Sequence, residues 1–219
     1  MQPKHMRKKG GGSRAVTVIL SVLAVLLGAL CVLSWMLFSD PNAGKSMPQP
    51  SDDAASKVVA ASVSGASVSL TAEEVGGWLN FLIRENSDTA ADTGLTALSV
   101  TTKQDNTADI YFPVQYSGKT FGVTMNLSLS FDAAAEQMKF FINSVHVGRL
   151  PVPVGYALDM MGEKLPPMLS RQGETLLCNT KSLFRVDFSG MFLRLKMTEM
   201  NLKNQAFHLK FDTEAGVNG

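Results

Sequence analysis

Cysteine is scarce in this chain. Cys31 and Cys178 are the two present in 219 residues, which is too few for a disulfide framework or a structural zinc site. Histidine is nearly as rare. His5, His146 and His208 fall in no H-x-x-x-H or H-E-x-x-H spacing, and no C-x-x-C occurs, so no metal site is expected. The G-x-S-x-G elbow, the Walker A loop and the dinucleotide fingerprint are also missing. Without a base, nucleophile or phosphate cradle at a recognisable spacing, no catalytic residue is assigned, no cofactor is expected, and the chain reads as non-enzymatic. Charge is thin as well: 18% of residues are charged, against a usual share of roughly 25%. One sign is absent from the first fourteen residues, where Lys4, Arg7, Lys8, Lys9 and Arg14 stand without any Asp or Glu. The remainder carries 15 Lys and Arg against 19 Asp and Glu, a net −4. Such a body lacks the positive surface that neutralises phosphates, which excludes nucleic acid as an expected partner.

What the chain does have is a long uncharged run. Residues 15–38, AVTVILSVLAVLLGALCVLSWMLF, hold no charged side chain. As a helix they would span roughly 36 Å, more than the hydrocarbon core of a bilayer. Trp35 falls near the outer end, where an amphipathic ring suits the interface, and the basic run precedes the span, so the positive-inside rule puts residues 1–14 in the cytoplasm as a basic tail and everything after the span outside. The run exceeds the apolar core of a cleaved signal peptide and has no small-x-small cleavage site, which favours a signal-anchor in the cell membrane. Leu30 is too large to precede an acylated cysteine, so Cys31 reads as an inert helix residue.

Residues 39–56, SDPNAGKSMPQPSDDAAS, combine three prolines with little apolar content and read as a flexible linker. Residues 57–219 then form one extracytoplasmic, β-rich domain. The stretch 58–70 reads as extended and broken at Gly65. Thr71 and Glu74 form a T-x-x-E capping box, and Val75, Trp78, Leu79 and Leu82 follow at helical spacing. Strands are expected over 95–102, 110–116 and 119–131, with a hairpin at Ser117-Gly118. From Phe121 to Phe131, apolar and polar residues alternate without exception, which gives one apolar and one polar face. Further strands are expected over 138–147, 192–201 and 207–211. The apolar parity switches at Asn143-Ser144 and again between Met197 and Met200, marking two β-bulges and hence a bent sheet. Between these halves, Pro151 and Pro153 are expected to prevent strand pairing. Residues 154–161 read as a short helix, and 164–169 as irregular or a second one. Asn126-Leu127-Ser128 matches a glycosylation triplet, but its place inside a strand makes it a chance match.

Methionine is plentiful. Eight of the twelve lie between Met125 and Met200, and thioether side chains suit surfaces that accept varied apolar ligands. One helix is too little to cover a long bent sheet, so an apolar groove lined by Met125, Leu127, Leu129, Met138, Phe140 and Met197 is the expected lipid-binding site. The turn bearing Gly148, Arg149, Leu150, Pro151 and Pro153 is the expected contact for a protein partner.

The anchor, the helix opening at Leu70, Thr71, Glu73 and Glu74, the strand pair carrying NLSLSF and FFINSVHVG, the G-R-L-P-V-P turn from Gly148 to Pro153 and the stretch FLRLKMTEMNL together resemble the YpmS-like family of membrane-anchored proteins of Gram-positive bacteria. The resemblance implies the topology of an anchored envelope protein and brings no catalytic residues. The fold class expected is α+β: a transmembrane helix followed by a long-stranded, bent antiparallel sheet with one or two helices. The expected function is non-enzymatic binding of lipid or another apolar ligand in the cell envelope, or else docking of an envelope-assembly protein.

Overall fold

In a computed structural model of the chain, the described residues are 12–85, 95–161, 169–181, 185–188 and 191–217. The basic tail therefore lies almost wholly outside them, as does the segment 162–168 with most of the expected second short helix; Leu169 opens a strand. The chain is α+β, as its patterning predicts. Helix α1 (Gly12–Phe38) contains one stretch, Leu20–Phe38, long and apolar enough to cross a membrane, and none of that stretch is buried against the rest of the chain. Helix α2 (Asp53–Ser64), strand β1 (Ser67–Thr71) and helix α3 (Ala72–Glu85) follow. Strands β2 (Ser99–Thr102), β3 (Thr107–Tyr116), β4 (Lys119–Asp132), β5 (Gln137–Val147) and β6 (Leu150–Val152) come next. Helix α4 (Val154–Met161) then leads to β7 (Leu169–Gln172), β8 (Thr175–Asn179), β9 (Arg185–Phe188), β10 (Met191–Lys203) and β11 (Ala206–Val217).

Two antiparallel sheets result. The larger runs β2-β3-β4-β5-β8-β7 with β6 added on β5, and the smaller runs β1-β11-β10-β9. Both expected bulges are present. In β5 the extra residue is Asn143, since Asn126 faces Ser144 while Leu127 faces Ile142. In β10 it is Thr198, because Met197 faces Phe211 while Glu199 faces Lys210. The first bulge has a visible consequence: β5 pairs with β8 through residues 137–141 and with β6 through Val145–Val147, so Asn143 marks where one edge changes partner.

Three expectations are corrected. Residues 53–64 are helical, not linker and strand. Ala54, Val58 and Ser62 recur every four residues and all face inward, a helical stripe disguised by a serine. The turn at Gly148-Arg149 does lead into a paired strand, with Pro151 opposite His146. Strand β6 is short and lies beside β5 alone, where a residue lacking an N–H is tolerated. In α3, Val75, Trp78 and Leu79 of the expected stripe do pack against the core, but Leu82 lies outside, and the fully buried positions are Gly76, Gly77 and Asn80. The capping box itself is formed: the Thr71 N–H donates to Glu74 Oε2 (2.8 Å), and the Glu74 N–H donates to Thr71 Oγ1 (3.2 Å). Lys57 also binds Glu74, and that contact, with the Thr71 bond, holds the Glu74 carboxyl below its usual range.

Inward residues of both sheets share one core with α2 and α4. Val100, Met125, Leu127, Ile142 and Leu176 come from the larger sheet, Leu70, Met197, Phe207 and Phe211 from the smaller, Val58 from α2 and Leu158 from α4. The long sheet is thus covered by a second sheet together with the helices.

Candidate functional site

The expected apolar groove is not open at its named residues. Met125, Leu127 and Met197 are buried core side chains, and Leu129, Met138 and Phe140 pack against that core. Adaptable methionines fill the space between elements here, which is their common use. Met160, by contrast, is 68% exposed on α4, with Tyr156 at 60% four residues before it. Cys178 is buried in β8, and burial pushes its thiol up, so it lacks the thiolate character of a nucleophile.

The polar face of the larger sheet is where chemistry gathers. Asn143, the bulged residue, donates to Asn126 Oδ1 (2.8 Å) and Ser128 Oγ (2.9 Å). Asn126 donates onward to Asp109 Oδ1 (2.7 Å) and Thr107 Oγ1 (3.1 Å), and Lys103 closes the row on Asp109 at 2.9 Å. A side chain so engaged is a strut of the sheet. Beside this row lies an open cleft of about 530 Å³ whose walls include Asn42, Lys103, Thr124, His146 and Arg149. The His146 ring makes no hydrogen bond among the described residues, whereas His208 Nε2 lies 3.1 Å from the Lys203 carbonyl oxygen.

One wall of that cleft is the exit of α1, and there the expected linker becomes a strap. Asp40 accepts the Tyr111 hydroxyl at 2.7 Å and its own Asn42 N–H at 2.8 Å. Asn42 donates to Thr124 Oγ1 (3.2 Å) and Lys45 to Thr101 Oγ1 (2.9 Å). Farther on, buried Asn80 donates to the carbonyls of Pro48 (2.8 Å) and Leu98 (2.9 Å), and the Ser51 N–H donates to the Gly77 carbonyl (3.0 Å). The glycine pair of α3 is explained by this path: a Cβ on Gly76 would lie 3.0 Å from the Pro48 ring, and one on Gly77 3.0 Å from the Gln49 carbonyl. Two adjacent glycines inside a strong helix pattern weaken the helix by roughly 1 kcal/mol each. They were the signal in the sequence that a second chain segment presses there.

The expected interaction turn is occupied by the chain's own helix. The Arg149 N–H donates to the Met36 carbonyl at 2.8 Å, and the Gly148 N–H donates to the Gly122 carbonyl at 2.7 Å. Gly148 is buried beneath the helix end, Arg149, Pro151 and Pro153 are exposed, and Leu150 is half-buried. The Arg149 guanidinium lies 5.4 Å from the Trp35 ring centre, and the Lys119 ammonium 4.7 Å from that of Phe38. Phe38 in turn meets Phe121, with ring centres 5.4 Å apart. The tips of the β3–β4 and β5–β6 hairpins therefore flank the last turn of α1.

Tyr111 is 5% exposed. Burial, then the bond to Asp40, pushes its hydroxyl up from 10.0 to about 12. A folded value raised above the unfolded one contributes stability that is complete below pH 10 and lost as the pH rises towards about 12. An ultraviolet titration of tyrosine ionisation is therefore expected to show a late step near pH 12. That step should vanish in Tyr111→Phe, and its persistence there would contradict the assignment.

No protein-family model, curated protein or solved structure matches the chain.

Proposed function

We propose that this chain is a non-enzymatic, single-pass protein of the cell membrane, with its N-terminus in the cytoplasm and its β-rich domain outside, that works at the bilayer surface by binding lipid. The observation that carries this reading is the seam between α1 and the domain. The segment after the apolar helix is bound at Tyr111, Thr124, Thr101 and Asn80. The domain is thus held in one pose, with two hairpin tips beside the helix end, rather than swung on a loose tether. The named groove residues fill the core, so the reading takes the lipid contact to be at the headgroup layer instead of between the sheets. The carboxylates near the cleft have structural partners, Asp109 with Lys103, Asp40 with Tyr111 and Asp105 with Thr107, which supports binding over acid–base catalysis. Kinship with the YpmS-like family belongs to the same proposal and rests on the motifs quoted above.

A second reading, docking of an envelope protein, is favoured by one feature. Tyr156 and Met160 stand four residues apart on α4, on one exposed face beside Pro153, and an uncovered aromatic–thioether pair suits a partner surface.

Topology is the first test. With epitope tags at both ends of the full chain, protease added to intact cells is expected to remove the C-terminal tag and spare the N-terminal one. Alkaline extraction should leave the chain in the membrane fraction. A protected C-terminal tag, or release by alkali, would overturn the reading.

A further inference from the structure

We infer that Lys119 and Arg149, one on each hairpin tip beside the exit of α1, together bind the phosphate of an anionic phospholipid in the leaflet where that helix ends. The inference rests on the membrane reading above and deepens it by naming the ligand.

Three observations converge on it. The first is position. Arg149 is fixed by its own backbone to Met36 and lies over Trp35, while Lys119 lies over Phe38. Trp35 is the residue whose amphipathic ring marks the interface, so both cations stand at headgroup level rather than out in solvent. The second is free donor capacity. Neither cation makes an ion pair among the described residues, although Lys57, Lys103, Lys139, Arg171 and Arg194 all do. Neither side chain donates a hydrogen bond among the described residues, which leaves the ammonium and the guanidinium fork, a geometry that matches a phosphate, with donors to spare. Both side chains are exposed. The third is rigidity. The Gly148 N–H donates to the Gly122 carbonyl at 2.7 Å, and Val123 faces Val147 in the ladder. The two tips are therefore parts of one sheet, held in register, and need little ordering on binding.

The net charge of the chain outside its N-terminal tail is negative, so general attraction to an anionic surface does not explain binding there. A local pair of cations does. Each basic residue near an anionic leaflet raises the local preference for anionic lipid about fivefold.

The test uses the full chain in nanodiscs of equimolar phosphatidylcholine and phosphatidylglycerol, followed by native mass spectrometry of the lipids that stay bound. Preferential retention of phosphatidylglycerol is expected. The exposed-hairpin variant Lys119→Ala should lower it about fivefold, and Lys119→Ala with Arg149→Ala should abolish it. The charge-preserving pair Lys119→Arg with Arg149→Lys should keep most of it, which separates lost charge from a damaged fold. A chain that enters nanodiscs but retains both lipids equally overturns this inference and leaves the tether intact. Retention unchanged in both alanine variants overturns it too. Failure to enter nanodiscs at all overturns the membrane reading, and this inference with it.

Discussion

Phe211→Ala is expected to lower the stability of the β-rich domain more than any other single truncation in its core. Phe211 is 0% exposed and is among the largest fully buried side chains. It sits on β11 opposite Met197, beside the Thr198 bulge where β10 bends. Phe211 lies in the core that residues of both sheets share. Removing a buried phenyl ring loses its transfer energy and leaves a cavity that a two-sheet core closes poorly, at a cost of about 3–5 kcal/mol. For a domain of this size that is a fall in Tm on the order of 10 °C. Calorimetry of the full chain in detergent would measure it. Phe211→Leu, which refills most of the volume, should lose markedly less. Equal losses from the two variants would mean that shape, rather than volume, decides at this site.

The position of Phe211 shows what the sequence makes legible and what it does not. Its inward direction could be read locally, since Phe207, Leu209 and Phe211 alternate with polar neighbours, and period two is a property of one strand. The two bulges were legible for the same reason: an inserted residue shifts the parity of every apolar side chain after it, as at Asn143 and Thr198. The start of α3 was legible because Thr71 and Glu74 satisfy each other's backbone within three residues. Partnership between distant elements was not. Alternation says which side chains share a face and is silent about what covers that face, so a core shared by two sheets reads locally as a groove. Residues 39–52 looked unstructured because they have few apolar residues. Their order comes from polar contacts with Asn80, Thr101, Tyr111 and Thr124, none of which is near in sequence. Helix α2 is hidden from a hydrophobic pattern because Ser62, at 4% exposure, occupies an inward position that such a pattern leaves blank; its hydroxyl is satisfied by the Val59 carbonyl at 2.7 Å. Most of the candidate site belongs to this second kind. Arg149 was singled out by its turn, but Lys119 acquires meaning from Phe38 and from the second tip beside it.

Gly148→Ala is expected to undo the seam between α1 and the domain while leaving the core folded. Two costs add at this position. Gly148 has a φ of 59°, a left-handed conformation that costs an ordinary residue roughly 1–2 kcal/mol. A Cβ there would also lie 2.5 Å from the Leu37 carbonyl oxygen and 2.6 Å from that of Met36. Both are backbone atoms of the helix end, so neither can swing aside as a side chain would. The strain is relieved if the helix end lifts from the turn, which breaks the Arg149-to-Met36 bond and loosens the strap that follows. Lys45, exposed within that strap and bonded to Thr101, then reports the opening. Trypsin cleavage after Lys45 should quicken at least tenfold, since 1.4 kcal/mol shifts an open population by that factor when reclosing is fast. Gly118→Ala supplies the control. Gly118 has a φ of 73°, but a Cβ there meets nothing within 4 Å. It therefore carries the conformational cost without the collision, and should strain its hairpin yet leave cleavage at Lys45 unchanged. If both variants accelerate cleavage alike, the strap is loosened by strain in the sheet. If Gly148→Ala alone does so, the close approach of helix and turn is what holds the domain in its pose.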